Sequence, residues 1–258
     1  MAWMTYAPYV RSAGALAYGA YRSFPSGQKQ TYAGTRSTNR LYTKKKPING
    51  YRYSFKKKML GNTPAKHYLV NDNQTFFVSG THNTIYSCNI TAGVVQGTAD
   101  NQRIGDAIQI MALKVNALLG SNSALTASTQ FRVLVGWSGE ELNVPNTLSS
   151  AGLSAAQIFH AGTGTSWANT GIINPKAFTV IHDRIHTLNN SIANVSDIEQ
   201  VAFTVPCSTA FPYQAAGSIY GKTRNLYLVV IPCSFGGSSG VTVAGSCSLS
   251  LDLIYKQL

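Results

Sequence analysis

The chain has 258 residues, 44% of them hydrophobic and only 12% charged, with a formal net charge of +12. The charged share is about half that of an ordinary soluble domain, so the body has little to keep copies apart and reads as a maker of extensive protein contacts. No apolar run reaches the length of a membrane span, the most apolar being Leu226–Ile231, and Met1–Tyr21 lacks the apolar core of a secretory signal.

The charge is divided along the chain. The first 71 residues hold thirteen Lys and Arg and no Asp or Glu, whereas the rest holds eight bases and all nine acids and sums to −1. Residues 1–70 therefore read as a basic arm and 71–258 as one body domain, long enough to bury roughly 70% of its unfolded surface. Positive charge gathered on one arm of a neutral globule is the footprint of a polyanion binder, most often of nucleic acid.

The arm is poor in Leu, Ile and Val and lacks the means to build a core. Ala13–Tyr21 predicts a helical turn or two and no more. Lysine triplets at Lys44, Lys45, Lys46 and at Lys56, Lys57, Lys58 flank Pro47 and Gly50, which prevent one continuous helix. Between them lie Tyr51, Arg52, Tyr53 and Phe55, and upstream are Arg11, Arg22, Lys29, Arg36 and Arg40. Cations neutralise phosphates and release counterions, while aromatic faces stack on unpaired bases. The mixture suits single-stranded nucleic acid better than duplex; the plainer reading is a solvated tail. The two lysine triplets also form a loose nuclear-import pattern, with host import receptors as the implied partner.

From about residue 67 the pattern turns to strands. Phe76–Ile90 is β-rich with a polar interruption at Gly80–Thr84. In Ile104–Leu118 the apolar residues change phase from Ile108 and Ile110 to Met111, Leu113 and Val115, which predicts a bulge in a long bent strand. Phe131–Trp137 alternates, and Ala177–Thr187 and Ile198–Val205 follow. Phe211–Tyr220 is a weaker candidate. Asn225–Pro232 is apolar on both faces, as a central strand should be. Cys247, Leu249, Leu251, Leu253 and Tyr255 alternate with polar residues at the end of the chain. Ser138–Lys176 is a connection long enough to imply a function, expected to be displayed at a surface or symmetry axis, with a short helix near Ser154–Phe159 capped by Ser154. Eight strands with one long connection predict an all-β fold, an eight-stranded antiparallel jelly roll of two sheets.

Catalytic patterns are weak. Gly236–Gly240 matches G-x-S-x-G but is followed by strand rather than helix, so a hairpin loop explains it. His182 and His186 would share a helical face, yet their segment reads as a strand, where residues four apart are about 13 Å apart and cannot chelate one ion. They are expected on a polar sheet face or a subunit contact. Glu140/Glu141 and Asp197/Glu199 are tied to no base or nucleophile. No enzyme, metal site or cofactor is expected. Four N-x-S/T triplets, at Asn73, Asn89, Asn189 and Asn194, are read as chance. The cysteines Cys88, Cys207, Cys233 and Cys247 show no metal spacing; two disulfides are the alternative, but buried free thiols are expected. Cys88 and Cys247 are expected on adjacent strands of one sheet, since the first and last strands of a jelly roll are neighbours.

Several segments resemble, in order, the capsid proteins of small circular Rep-encoding single-stranded DNA viruses, the circovirus-like group. They are Thr98–Ile110 running on to Lys114-Val115-Asn116, with its Gln102-Arg103-Ile104-Gly105 turn; Phe131–Trp137; Asn174–Arg184; Asn225–Ile231; and Leu251–Tyr255. The resemblance covers about residues 85–258, and the basic arm stands where that group carries its own. It implies a jelly-roll subunit that assembles with about sixty copies of itself into a small icosahedral shell, the arm inside against the genome. It favours DNA over RNA, although some small RNA-virus and satellite capsids share the fold. The arm departs from the family pattern in being rich in Tyr, Ala, Gly and Ser rather than a dense Arg tract. A non-viral nucleic-acid-binding β-sandwich, acting as an assembly chaperone, is the alternative.

Overall fold

The strand pairing follows a simple rule. In the computed structural model, which describes residues 63–78, 84–122, 128–163, 168–189, 196–234 and 242–258, eight strands occur in the order β1 (Lys66–Val78), β2 (Tyr86–Asn89), β3 (Ala107–Ser121), β4 (Ser128–Ser138), β5 (Phe178–Asn189), β6 (Ile198–Pro212), β7 (Asn225–Ser234) and β8 (Thr242–Gln257). β1 pairs with β8, β2 with β7, β3 with β6 and β4 with β5, all antiparallel. The chain is thus one long hairpin, tipped at β4–β5, rolled up on itself. The further pairs β3–β8 and β4–β7 complete a first sheet in the order β1-β8-β3-β6 and a second in the order β2-β7-β4-β5. That order is the jelly roll. Helix among the described residues is limited to three 3-10 turns, Thr91–Gly93, Ala155–Gln157 and Ala168–Thr170.

The first sheet is built from alternating strands. In β8, Cys247, Leu249, Leu251, Leu253 and Tyr255 are buried against the second sheet, and Ser246, Ser248 and Ser250 face water. β3 carries the expected slip: its register with both β6 and β8 shifts between Ile110 and Ala112, which returns Leu113, Val115, Ala117 and Leu119 to the core. In the second sheet β7 is buried at all ten positions, because it is central and covered on both faces.

The number of strands was expected, but two of the assignments differ. Phe76–Ile90 is not one strand; it holds the end of β1 and all of β2, in different sheets. Most of β1 was missed because Asn71, Asp72, Asn73, Gln74 and Thr75 give it almost no apolar signal, although Tyr68, Val70 and Phe76 are buried. β1 begins at Lys66, so the sheet takes in residues 66–70, ahead of the boundary drawn from composition. Phe211–Tyr220 is not a separate strand: β6 runs on to Pro212, and a connection bridged by Tyr213 and Gly221 follows.

The long connection between β4 and β5 lies on the outer surface of the second sheet, where many of its residues are exposed and a few pack down. Leu153, Ile158, Phe159 and Ala168 join Ile85, Leu134, Phe178, Tyr227, Val229 and Ile231 in a second apolar cluster on the outer face of the second sheet. It also seals that sheet at β2, where Ser87 and Ser149 exchange backbone hydrogen bonds of 3.0 and 3.1 Å and Asn89 N–H donates to Val144 O at 3.0 Å. The expected short helix is the 3-10 turn Ala155–Gln157; Gln157 Oε1 accepts from the N–H and hydroxyl of Ser154 at 2.8 and 3.0 Å.

Cys88 and Cys247 lie in opposite sheets, not on adjacent strands of one. The jelly-roll order stands, since Cys88 belongs to the second strand and not the first. Both thiols face the common core, and all four cysteines are free.

Candidate nucleic-acid interface

The proposed nucleic-acid-binding residues, Arg11, Arg22, Lys29, Arg36, Arg40, Lys44, Lys45, Lys46, Tyr51, Arg52, Tyr53, Phe55, Lys56, Lys57 and Lys58, lie outside the described residues. So do the G-x-S-x-G segment Gly236–Gly240 and Trp167. What the body does with its own cations bears directly on where a polyanion would bind.

Most of these cations are committed to structure. Lys66, the last base of the acid-free segment, donates from Nζ to the carbonyls of Gln102 (2.8 Å) and Ala99 (3.4 Å). Arg103 is fully buried; its guanidinium lies 3.8 Å over the Tyr213 ring and donates to the carbonyls of Gly105 and, at 2.6 Å, Ser218. Tyr213 in turn donates to Thr91 O at 3.1 Å, and burial, opposed by Arg103, pushes its phenol up. The Gln-Arg-x-Gly turn is therefore a clamp joining the β2–β3 connection to the β6–β7 connection. The sequence marks the turn, but nothing local announces that its arginine is buried.

Arg132 is the second buried cation. Its Nε and one terminal nitrogen hold both carboxylate oxygens of Asp183 at 2.8 and 2.6 Å, and the other nitrogen donates to Asn169 O (3.0 Å) and Gly171 O (2.8 Å). A planar fork suits this double duty. It pins the long connection to β4 and β5.

Among the described residues no loop covers the outer face of the first sheet, which is mostly polar. A shallow hollow of about 620 Å³ lies over Leu69, Asn71, Lys114, Asn116, Gln200 and Asp252. Its polar groups satisfy one another: Ser250 donates to Asn71 Oδ1 (2.7 Å), Gln200 to Asn116 Oδ1 (3.3 Å), and Asp252 meets His67 at 2.9 Å and Lys114 at 3.8 Å. Among the described residues this face offers no concentrated positive charge.

Among the described residues, the acidic and histidine groups singled out above form no acid–base–nucleophile set. His182 and His186 sit on β5 as expected, but on its inward row at the open side of the sandwich, not on an outer polar face. His182 stacks on Phe203 and His186 Nδ1 is 2.8 Å from Glu199 Oε1. Among the described residues no group of three or more His, Cys, Asp or Glu is placed to hold a metal. Asp197 accepts from Asn189 N–H at 3.0 Å, and Glu140 offers its carbonyl to Tyr227 at 2.6 Å; both serve loops. Burial pushes the Cys88 and Cys247 thiols up to about 12, the reverse of what a nucleophile needs.

No family model and no curated protein matches this chain. Similar solved structures include one of Desmodium yellow mottle tymovirus, at 9% identity over 76% of this chain and 89% of that one, with a TM-score of 0.33. Another is the empty head of turnip yellow mosaic virus, at 11% identity over 76% and 79%, with a TM-score of 0.34. A third is a subviral particle of infectious bursal disease virus, at 9% identity over 75% and 38%, with a TM-score of 0.30. At these scores the likenesses add nothing to the strand order, which defines the fold by itself.

Proposed function

We propose that this chain is the capsid protein of a small virus. Its jelly-roll body associates with about sixty copies of itself into an icosahedral shell, and its basic arm binds a single-stranded genome, circular DNA in preference to RNA. The observation that carries this reading is the division of labour along the chain. A jelly-roll body with no net excess of positive charge, two of its arginines (Arg103 and Arg132) buried as clamps on loops, follows an arm with a large excess of it. Many copies of such an arm inside one shell form a multivalent sink for phosphate. The lysine triplets Lys44–Lys46 and Lys56–Lys58 serve a second purpose, import into the host nucleus, where the shell assembles. No covalent chemistry is assigned to the chain.

Electron microscopy of the purified full chain tests the shell: uniform closed particles near about 20 nm are expected from about sixty subunits of this size. Small oligomers under all conditions would overturn the shell and leave a nucleic-acid-binding β-sandwich. Digestion of the packaged polymer by DNase and not RNase is expected. Removal of residues 1–62, which leaves Lys66 in its sheet, should abolish salt-dependent binding of single strands, whose log–log salt slope in the full chain should reach about −8. Undiminished binding by the truncated chain would refute the role of the arm.

A further inference from the structure

Among the described residues β5 pairs only with β4, and β6 only with β3, so each is an edge strand of its own sheet, and together they flank one side of the sandwich. This side is closed by side chains rather than by backbone pairing. The His182 ring lies flat on the Phe203 ring, centroids 3.8 Å apart and planes 7° from parallel. Two positions further along the same row, His186 Nδ1 is 2.8 Å from Glu199 Oε1. The two strands run antiparallel past each other, and these contacts are the rungs between them. Nε2 of each histidine is buried and has no hydrogen-bond partner among the described residues.

The charges around the pair are few. On β5, Arg184 lies between the two histidines on the same row, while Asp183 points to the other face and is held by Arg132. On β6 the facing acid is Glu199, already engaged by His186. The inward residues of β4 opposite this row are Phe131, Val133 and Val135, and those of β3 are Val115, Ala117 and Leu119, none of them titratable. A proton added to His182 would create a cation between Arg184 and His186, with a buried N–H and no acceptor.

We propose that the His182–Phe203 contact is an acid-released clasp, in which protonation of His182 frees β5 from β6 around it and opens this side of the sandwich while the remaining strands stay packed. Burial first, and then the charges of Arg184 and His186, hold His182 below its ordinary value of 6.5. The opened state therefore takes up the proton more readily than the closed one. The clasp is intact above about pH 6.5 and weakens as the pH falls through that value. This is a property of a single subunit and does not depend on shell formation.

Hydrogen exchange of the full chain, read by mass spectrometry at pH 7.5 and pH 5.0 and corrected for intrinsic rates, tests it. In the wild type, protection of residues 178–189 and 198–212 should fall by about threefold or more at pH 5.0, with β1 and β8 unchanged. His182→Phe keeps the stacking partner and cannot be charged, so it should lose most of that fall. His160→Gln, an exposed histidine on the β4–β5 connection, should keep it. A wild-type loss spread evenly over all strands would overturn the proposal, whether or not the Phe variant folds, and so would an undiminished loss in His182→Phe.

Discussion

The two sheets of this protein solve the same burial problem in different ways. The first sheet shows the core one face and shows solvent the other, and its long strands β6 and β8 alternate accordingly. The second sheet is covered on both faces, by the first sheet inside and by the β4–β5 connection outside, and β4 and β7 lose their alternation almost entirely. A continuous apolar strand is thus a demand for a second cover. The long connection between β4 and β5 exists at least in part to meet it. The bare polar face of the first sheet makes no such demand.

The largest expected effect comes from removing that cover. Phe159→Ala should destabilise the protein by about 3–5 kcal/mol in urea unfolding, as for a buried aromatic. A loop merely displayed at the surface would show almost no change. Next comes Arg132→Ala, expected to cost about 3 kcal/mol because it strands the Asp183 carboxylate and two loop carbonyls. Arg132→Lys should recover only part of this, since an ammonium cannot hold both oxygens and both carbonyls in one plane.

A third test acts between the sheets rather than on one. Burial holds the Cys88 and Cys247 thiols at about 12 against an ordinary 9.0, so the unfolded chain releases these protons first as the pH rises. The stability they confer is present below pH 9 and is lost above it, by about 2 kcal/mol for the pair between pH 9 and pH 10. Cys88→Ala with Cys247→Ala should flatten that part of the pH profile, and the native thiols should resist alkylation at pH 8 until the protein unfolds. The smallest effect belongs to the bare face: Leu69→Ala, at a position 66% exposed, should change stability by less than about 0.5 kcal/mol. A larger loss there would mean that the face is covered by something in solution, and would erase the contrast between the sheets.

Read locally, the sequence determined the segregation of charge into an arm and a neutral body, the alternating strands β6 and β8, the central position of β7 and the slip at Ile110–Ala112. These are properties of neighbouring residues, because side chains two apart on a strand share a face whatever the partner is. Only the tertiary structure decided the rest. β1 is a core-lining strand although half its sequence is polar, because β8 supplies the complementary apolar row from about 180 positions away. Arg103 and Arg132 are buried because carbonyls and a carboxylate arrive from distant connections, Ser218 for the first and Asp183 for the second. Cys88 and Cys247 enter the same core from opposite sheets because Cys88 belongs to the second strand and the roll sends it to the other sheet. His182 and His186 look like a metal pair on paper and become rungs between β5 and β6 because the facing row of β6 offers a phenyl ring and a carboxylate. Periodicity says which face of a strand is dry, but what lies on the other side of that face is settled by the roll of the whole chain.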